Sequence, residues 1–296
     1  MSRLPSFFLV GAPRCGTTTL NEVLDAHPET FTSANKEPWF YAVSERSEPF
    51  TGPGDGQGVR NRSEYEALFA GSDAAVAVGE ASTLYLSSDH AAERIAADVP
   101  DARIVVTLRD PVQRAFSNFS QHTWQARETL GFDEALAAGP GRVASGWAPF
   151  WDYEALSRYG AQLDRWFRVF DREQIHVILF DDLVSRRSEV LSDLYRHVGV
   201  DPSFQPPDAG AVNASGQPRS ERLHAFLRGS SGAKRILKAL VPSKARAAMR
   251  EGVDRRNATK AELPTEQRVA LEERLRADLE HASELLGTDL VERWFS

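Results

Sequence analysis

Cysteine is almost missing from this chain. Cys15 is the only one in 296 residues, which excludes an intrachain disulfide framework and fits a reducing cytoplasm. No apolar run comes near the ~20 residues that a membrane-spanning helix needs. The first such run, Phe7 to Val10, is too short and strand-like for a signal peptide. Basic residues are in the minority: 35 Lys and Arg against 42 Asp and Glu leave a net charge of −7, a balance that argues against broad nucleic-acid binding. Internal repeats are not evident. A cytoplasmic protein without nucleic-acid partners is expected, and a membrane-surface contact is not favoured.

Another absence falls inside the most informative stretch. Phe7 to Leu20 reads FFLVGAPRCGTTTL: a short apolar strand, a glycine-bounded loop, then threonines opening a helix. Such a loop cradles phosphate, because the amides of the loop and first helical turn have no intrahelical acceptors and can face an anion. Gly11 and Gly16 permit the tight turn, and Thr17, Thr18 and Thr19 add hydroxyls. The nucleoside-triphosphate loop GxxxxGK[ST] has a lysine after its second glycine. Here that position is Thr17, and the loop's cation is Arg14, two residues before Gly16. A planar guanidinium set elsewhere reaches different oxygens, so a triphosphatase is disfavoured.

A second strand-to-helix unit is RIVVTLRDPVQRAFSNFSQH, Arg103 to His122. Ile104 to Leu108 is a continuous apolar, β-branched run, as in a strand covered on both faces. Asp110-Pro111 starts a helix, with the carboxylate at its positive end and proline where a missing N–H costs least. Arg109 stands at the carboxyl edge of the strand, where open α/β sheets bind ligands. Arg114 and Ser117, three apart, share a helix face; with Arg109 they can grip a second phosphate.

These two units resemble the sulfotransferases that use 3′-phosphoadenosine 5′-phosphosulfate (PAPS). In that family the first loop holds the 5′-phosphosulfate, and an RxPxxRAxSxY-like element holds the 3′-phosphate. The matching positions here are Arg14, Cys15, Gly16, Thr17, Thr18 and Thr19 for the former, and Arg109 and Ser117 for the latter. Phe119 replaces the usual tyrosine. Further matches are Lys36-Glu37-Pro38-Trp39-Phe40-Tyr41 with a KEPHFF-type segment, Gly79 to Tyr85 with GEKSPxY, and Tyr159, Gln162, Leu163 and Trp166 with YxxQLxxW. Asn213, Ala214, Ser215 and Arg219 match a late NxS…R segment, which adds Arg219 to the donor-binding set.

The resemblance implies transfer of a sulfuryl group from PAPS to a hydroxyl of a carbohydrate, glycolipid or small natural product, leaving adenosine 3′,5′-bisphosphate; no metal is implied. Glu37 matches the catalytic base of the branch that sulfates heparan chains. Arg14 stands where the family usually has lysine; being always protonated, it suits charge stabilisation better than proton donation. Ala81 stands where the heparan-type branch carries a lysine near the sulfonate, so that cation must come from elsewhere or be absent. His122 is a rival base, but it lies five residues after Ser117 rather than four, and one position turns a side chain by about 100° on a helix. His27, in a family-typical turn, reads as structural. Eukaryotic heparan-type relatives are anchored in the Golgi membrane, whereas this chain starts at the catalytic segment, so a soluble bacterial enzyme is expected.

The expected fold class is α/β: a P-loop-like three-layer fold with a mostly parallel central sheet flanked by helices. Strands are expected near Phe7–Val10, Val76–Glu80, Arg103–Leu108 and Ile175–Phe180, with a final amphipathic helix at Thr265 to Leu286. Residues 1–296 read as one domain. Within it, 219–260 is a basic stretch that suits a helical lid or an acceptor-site subregion. GWAPFWDY, Gly146 to Tyr153, reads as a loop lining the acceptor site, with stacking surfaces for a saccharide or small-molecule acceptor. Two alternatives stay open at this stage. One is a P-loop kinase with Asp110 organising magnesium; the other is a non-catalytic nucleotide-binding module.

Overall fold

Buried apolar runs decide the centre of the molecule. The computed structural model describes residues 3–206, 217–218, 258–259 and 262–296. Five strands form one sheet: β1 Phe7–Gly11, β2 Thr30–Thr32, β3 Ala77–Ala81, β4 Arg103–Leu108 and β5 Ile175–Leu179. Every neighbouring pair is parallel, in the order β2-β3-β1-β4-β5. Four of these match the expected strands to within a residue at each end. The three-residue β2 shows no period that a sequence can betray; it is seated by register, Thr30 opposite Ala77 and Thr32 opposite Gly79. Phe180 is not the end of β5 but the start of a helix, Phe180–Ser185.

Alternation along the strands separates two buried layers. Phe7, Leu9 and Val105 face the cluster containing Leu20, Val23 and Leu24 of helix α1, Thr17–Asp25. Phe8, Val10, Ile104 and Val106 face the opposite cluster, with Tyr41, Tyr65, Tyr85, Ile95 and Trp166. Gly79 lies opposite Phe7 in the register, and a Cβ there would sit 1.9 Å from the Phe7 ring; only glycine allows that close approach.

Connection order puts the site where it is. From β1 the chain first builds β2 and β3 on one side and only then crosses to β4 on the other. The crevice beyond the carboxyl ends of β1 and β4 is therefore the topological switch point, the usual ligand position in open α/β sheets. The Gly11–Gly16 loop leaves β1 there, and Arg109 leaves β4.

The remaining helices include α2 Phe40–Val43, α3 Arg62–Ala67, α4 Ala91–Asp98, α5 Pro111–Trp124, α6 Phe132–Ala144 and α7 Tyr159–Phe167, then α8 Phe180–Ser185, α9 Arg187–Val198, α10 Thr265–Leu286 and α11 Leu290–Phe295. Helix α10 packs on the core through Leu271, Leu275, Leu279 and Ala282, a stripe at helical spacing. Its Asp278 caps α7, accepting from Gly160 N at 2.8 Å and Ala161 N at 3.1 Å. The chain does not end its regular structure at α10: α11 follows after Gly287, and Trp294 Nε1 donates to Asp181 at 2.8 Å. Among the described residues no helix is long and apolar enough to cross a membrane. Asn213, Ala214, Ser215 and Arg219, with the donor-binding assignment of Arg219, lie outside the described residues, as does the basic 219–260 stretch apart from 258–259.

Candidate functional site

Gly16 opens α1 with φ 89°, and a Cβ there would lie 3.1 Å from both Phe180 and Leu183 side-chain atoms. The first intrahelical bond runs from Leu20 N to Gly16 O at 3.1 Å, so the amides of residues 17–19 have no acceptor within the helix. Thr18 is exposed and Thr19 half-buried at that mouth. Arg14 has φ 71°, a left-handed conformation that costs a non-glycine residue about 1–2 kcal/mol. That turn sends its guanidinium back over the loop, where Nε donates to Ser117 Oγ on α5 at 3.1 Å.

Positive charge accumulates here. Burial, then the neighbouring charge of Arg109, push the Arg14 guanidinium below its ordinary range, with Arg114 adding to the effect. Arg109 is half-buried, with its guanidinium over the Phe180 ring at 5.0 Å and its carbonyl accepting from Tyr159 at 3.0 Å. Arg14 and Arg109 together make this mouth of the crevice electropositive. Cys15 is fully buried, 3.9 Å from the Tyr159 hydroxyl, and burial raises its thiol to about 11. It packs the floor of the loop and is not a reactive thiolate.

Glu37 lies in the segment between β2 and α2, against the end of β3. It and Trp39 have φ 65° and 55° on either side of Pro38, and the strained segment is fastened by Glu37 N to Ala81 O at 2.8 Å and Trp39 N to Ser82 Oγ at 3.0 Å. The Glu37 carboxylate accepts from Thr83 N at 2.8 Å, Trp39 Nε1 at 2.8 Å, Thr83 Oγ1 at 3.1 Å and Lys36 Nζ at 3.2 Å. Lys36 Nζ also lies 3.4 Å from Thr18 Oγ1, which ties Glu37 to the first turn of α1. Beneath this segment Glu80 is 2% exposed, with Oε2 accepting from Tyr65 and Tyr85 hydroxyls at 2.5 and 3.2 Å. Burial pushes this acid up to about 7.

His122 ends α5 in a different environment. Its Nδ1 lies 2.9 Å from the Tyr153 hydroxyl, which contacts Glu128 Oε2 at 3.0 Å; Glu128 in turn takes a two-pronged pair from Arg142 at 2.6 and 2.9 Å. The ring lies on Trp151 at 4.3 Å. Burial, followed by the charge of Arg127, lowers the imidazole to about 4, so it is neutral at physiological pH.

Several expectations need correction. Trp151 and Tyr153 do not line an open loop: they are 1% and 0% exposed, and Trp151 Nε1 and Ala148 N both donate to Asp55 at 2.8 Å. That clamp holds the glycine-rich 52–58 loop against 146–153, leaving Trp147 and Phe150 half-buried. Arg114 does not face the Ser117 side. It is fully buried, donating to Ser157 Oγ at 2.7 Å and to the Tyr153 carbonyl. Asp110 caps α5 through Val112 N and Gln113 N at 2.9 and 3.0 Å and pairs with Arg268 at 2.9 Å, so it is committed to structure rather than poised for a metal. His27, by contrast, is structural as expected: it is buried between Tyr195 and Phe204, with Nε2 3.0 Å from Asp201 O. Thr83 and Glu80 were missed as site residues; their only sequence signal was their place in the Gly79 to Tyr85 segment.

A parallel sheet carries two strand-to-helix turns at its switch point, each with an arginine, and the Glu37 carboxylate is tied through Lys36 to the first of them. The chain belongs to the sulfotransferase family, whose family model matches residues 5–206. A sulfotransferase from Alicyclobacillus acidocaldarius, known from its crystal structure, is 30% identical; it superposes with a TM-score of 0.79, covering 99% of this chain and 100% of that one. The bifunctional heparan sulfate N-deacetylase/N-sulfotransferase 4 of Mus musculus is 27% identical over 219 residues, 70% of this chain and 23% of that protein. The heparan sulfate glucosamine 3-O-sulfotransferase 6 of Homo sapiens is 28% identical over 185 residues, 62% of this chain and 48% of that protein. The chain thus spans from about a quarter to about half the length of these curated relatives.

Proposed function

We propose that the chain transfers the sulfuryl group of PAPS to a hydroxyl of a carbohydrate, glycolipid or small natural product. The observation that carries this is the 3.1 Å bond from Arg14 Nε to Ser117 Oγ. It joins the loop assigned to the 5′-phosphosulfate to the element assigned to the 3′-phosphate, and two anion sites so linked suit a 3′,5′-bisphosphorylated nucleotide better than a triphosphate. Residues Arg14 to Thr19 hold the 5′ end through backbone amides and hydroxyls; Arg109 and Ser117 hold the 3′-phosphate. The bound donor supplies an activated sulfur–oxygen bond. Glu37 takes the proton of the acceptor hydroxyl as the new S–O bond forms and the bond to the phosphate oxygen breaks, with the electron pair leaving on the 5′-phosphate. Arg14 stabilises that charge. Half-buried Trp147 and Phe150 offer stacking surfaces for the acceptor. The commitments of Asp110 as cap and ion-pair partner disfavour the kinase alternative.

The test has two parts. A thermal shift with adenosine 3′,5′-bisphosphate that needs no magnesium, and exceeds that with ADP or ATP, is expected; a shift with magnesium-ATP alone overturns the donor assignment. Glu37→Gln is expected to keep bisphosphate binding and to lower sulfuryl transfer by about 10²–10⁴-fold. Unchanged transfer moves the base role to His122, whose neutral imidazole is competent to accept a proton.

A further inference from the structure

Lys36 is the sole lysine among the described residues; Lys234, Lys238, Lys244 and Lys260 fall outside them. Its ammonium occupies a particular place. Nζ is 3.4 Å from Thr18 Oγ1, in the helical turn that opens the anion cradle, and 3.2 Å from Glu37 Oε1. It therefore stands between the cradle and the proposed base.

As a mere partner of Glu37 it is redundant. Thr83 N, Thr83 Oγ1 and Trp39 Nε1 already fix that carboxylate from shorter range, and an ion pair with side chains 28% and 24% exposed contributes only ~0–1 kcal/mol. The loop meanwhile has Thr17 where a triphosphate loop has lysine. Ala81 is buried at the end of β3, packed with Leu9, Leu20 and Val23, and brings no charge. Arg14 is tied to Ser117, on the side of the second phosphate element. A flexible four-carbon stem with three donors can leave Oε1 to an incoming hydroxyl while its charge moves to an anion on the cradle.

We infer that Lys36 is the residue that binds the donor's sulfonate, supplying from the segment before the base the cation that positions 17 and 81 lack. The inference rests on the PAPS assignment above. One charge-assisted hydrogen bond, made to PAPS but not to the desulfated nucleotide, corresponds to about 10–100-fold in affinity.

The experiment is acceptor-independent calorimetry of PAPS and of adenosine 3′,5′-bisphosphate on the full chain, comparing wild type with Lys36→Met and Lys36→Arg. In Lys36→Met the affinity for PAPS is expected to fall by at least about tenfold, that for the bisphosphate by less than about threefold, with Lys36→Arg in between. Equal losses for both nucleotides would make Lys36 a general phosphate contact and overturn the inference, as would equal affinities in all three proteins. Wild type that binds neither nucleotide refutes the donor assignment itself, a result separable from failure of Lys36.

Discussion

Replacing Glu80 by glutamine is expected to change the slope of stability against pH, not merely its level. Glu80, on β3, is 2% exposed and accepts from the hydroxyls of Tyr65 on α3 and of Tyr85. Its ordinary value of 4.5 is raised to about 7 by burial, opposed by hydrogen bonds from Ser82, Tyr65 and Tyr85 and reinforced by the charge of Glu37. Between those two values the folded chain keeps a proton that the unfolded chain has released. Stability therefore falls as pH rises through this window, and the loss is complete above about 7. Raising the carboxyl from 4.5 to about 7 corresponds to roughly 3 kcal/mol. Glutamine cannot ionise, and its carbonyl can accept from both tyrosines. Buried neutral histidines act in the opposite sense: His122 and His197, both lowered to about 4 chiefly by burial, cost stability as pH falls. The informative quantity is thus the difference between wild type and variant in urea unfolding at several pH values from about 5 to 8. Relative to Glu80→Gln, wild type is expected to lose roughly 3 kcal/mol across that range; a difference that stays constant refutes the buried, protonated acid.

Arg109→Ala is expected to weaken binding of adenosine 3′,5′-bisphosphate by about 10–100-fold while leaving a nucleotide without the 3′-phosphate nearly unaffected. Calorimetry with both ligands decides it, and retained discrimination would contradict the role. Cys15 is fully buried with its thiol raised to about 11, so thiol reagents should label it slowly at neutral pH and rapidly only in denaturant. Fast labelling of the folded chain would show that the loop opens. Asp278→Ala removes the acceptor for Gly160 N and Ala161 N, and a stability loss of about 1–2 kcal/mol is expected from the lost cap, read as a lower urea midpoint at unchanged slope.

The two strand-to-helix units were legible because each is local. An apolar run, a glycine loop and a helix opening follow one another in sequence, and Asp110-Pro111 caps its own helix. Side-chain direction was harder to read. Arg114 and Ser117 are three apart on α5, yet Arg114 turns inward to Ser157 and the Tyr153 carbonyl while Ser117 meets Arg14. The aromatic segment 146–153 reads in sequence as a loop lining the acceptor site, with no sign of which of its aromatics are buried. Asp55, remote in sequence, draws Trp151 into the core instead, and no periodicity announces such a partner.

By itself, then, the sequence determined the strand-to-helix units, their caps and the kinds of charge they present, since backbone hydrogen bonds and turn geometry are settled among near neighbours. Only the tertiary structure decided which of those charges meet. The sheet order β2-β3-β1-β4 seats the segment of Lys36 and Glu37 against the end of β3 and sets Arg14 of the β1 loop against Ser117 of the helix after β4, so groups from four strands meet at one crevice. Burial, a property of the whole packed molecule, then decided that Glu80 keeps its proton to about 7 while His122 gives its up down to about 4.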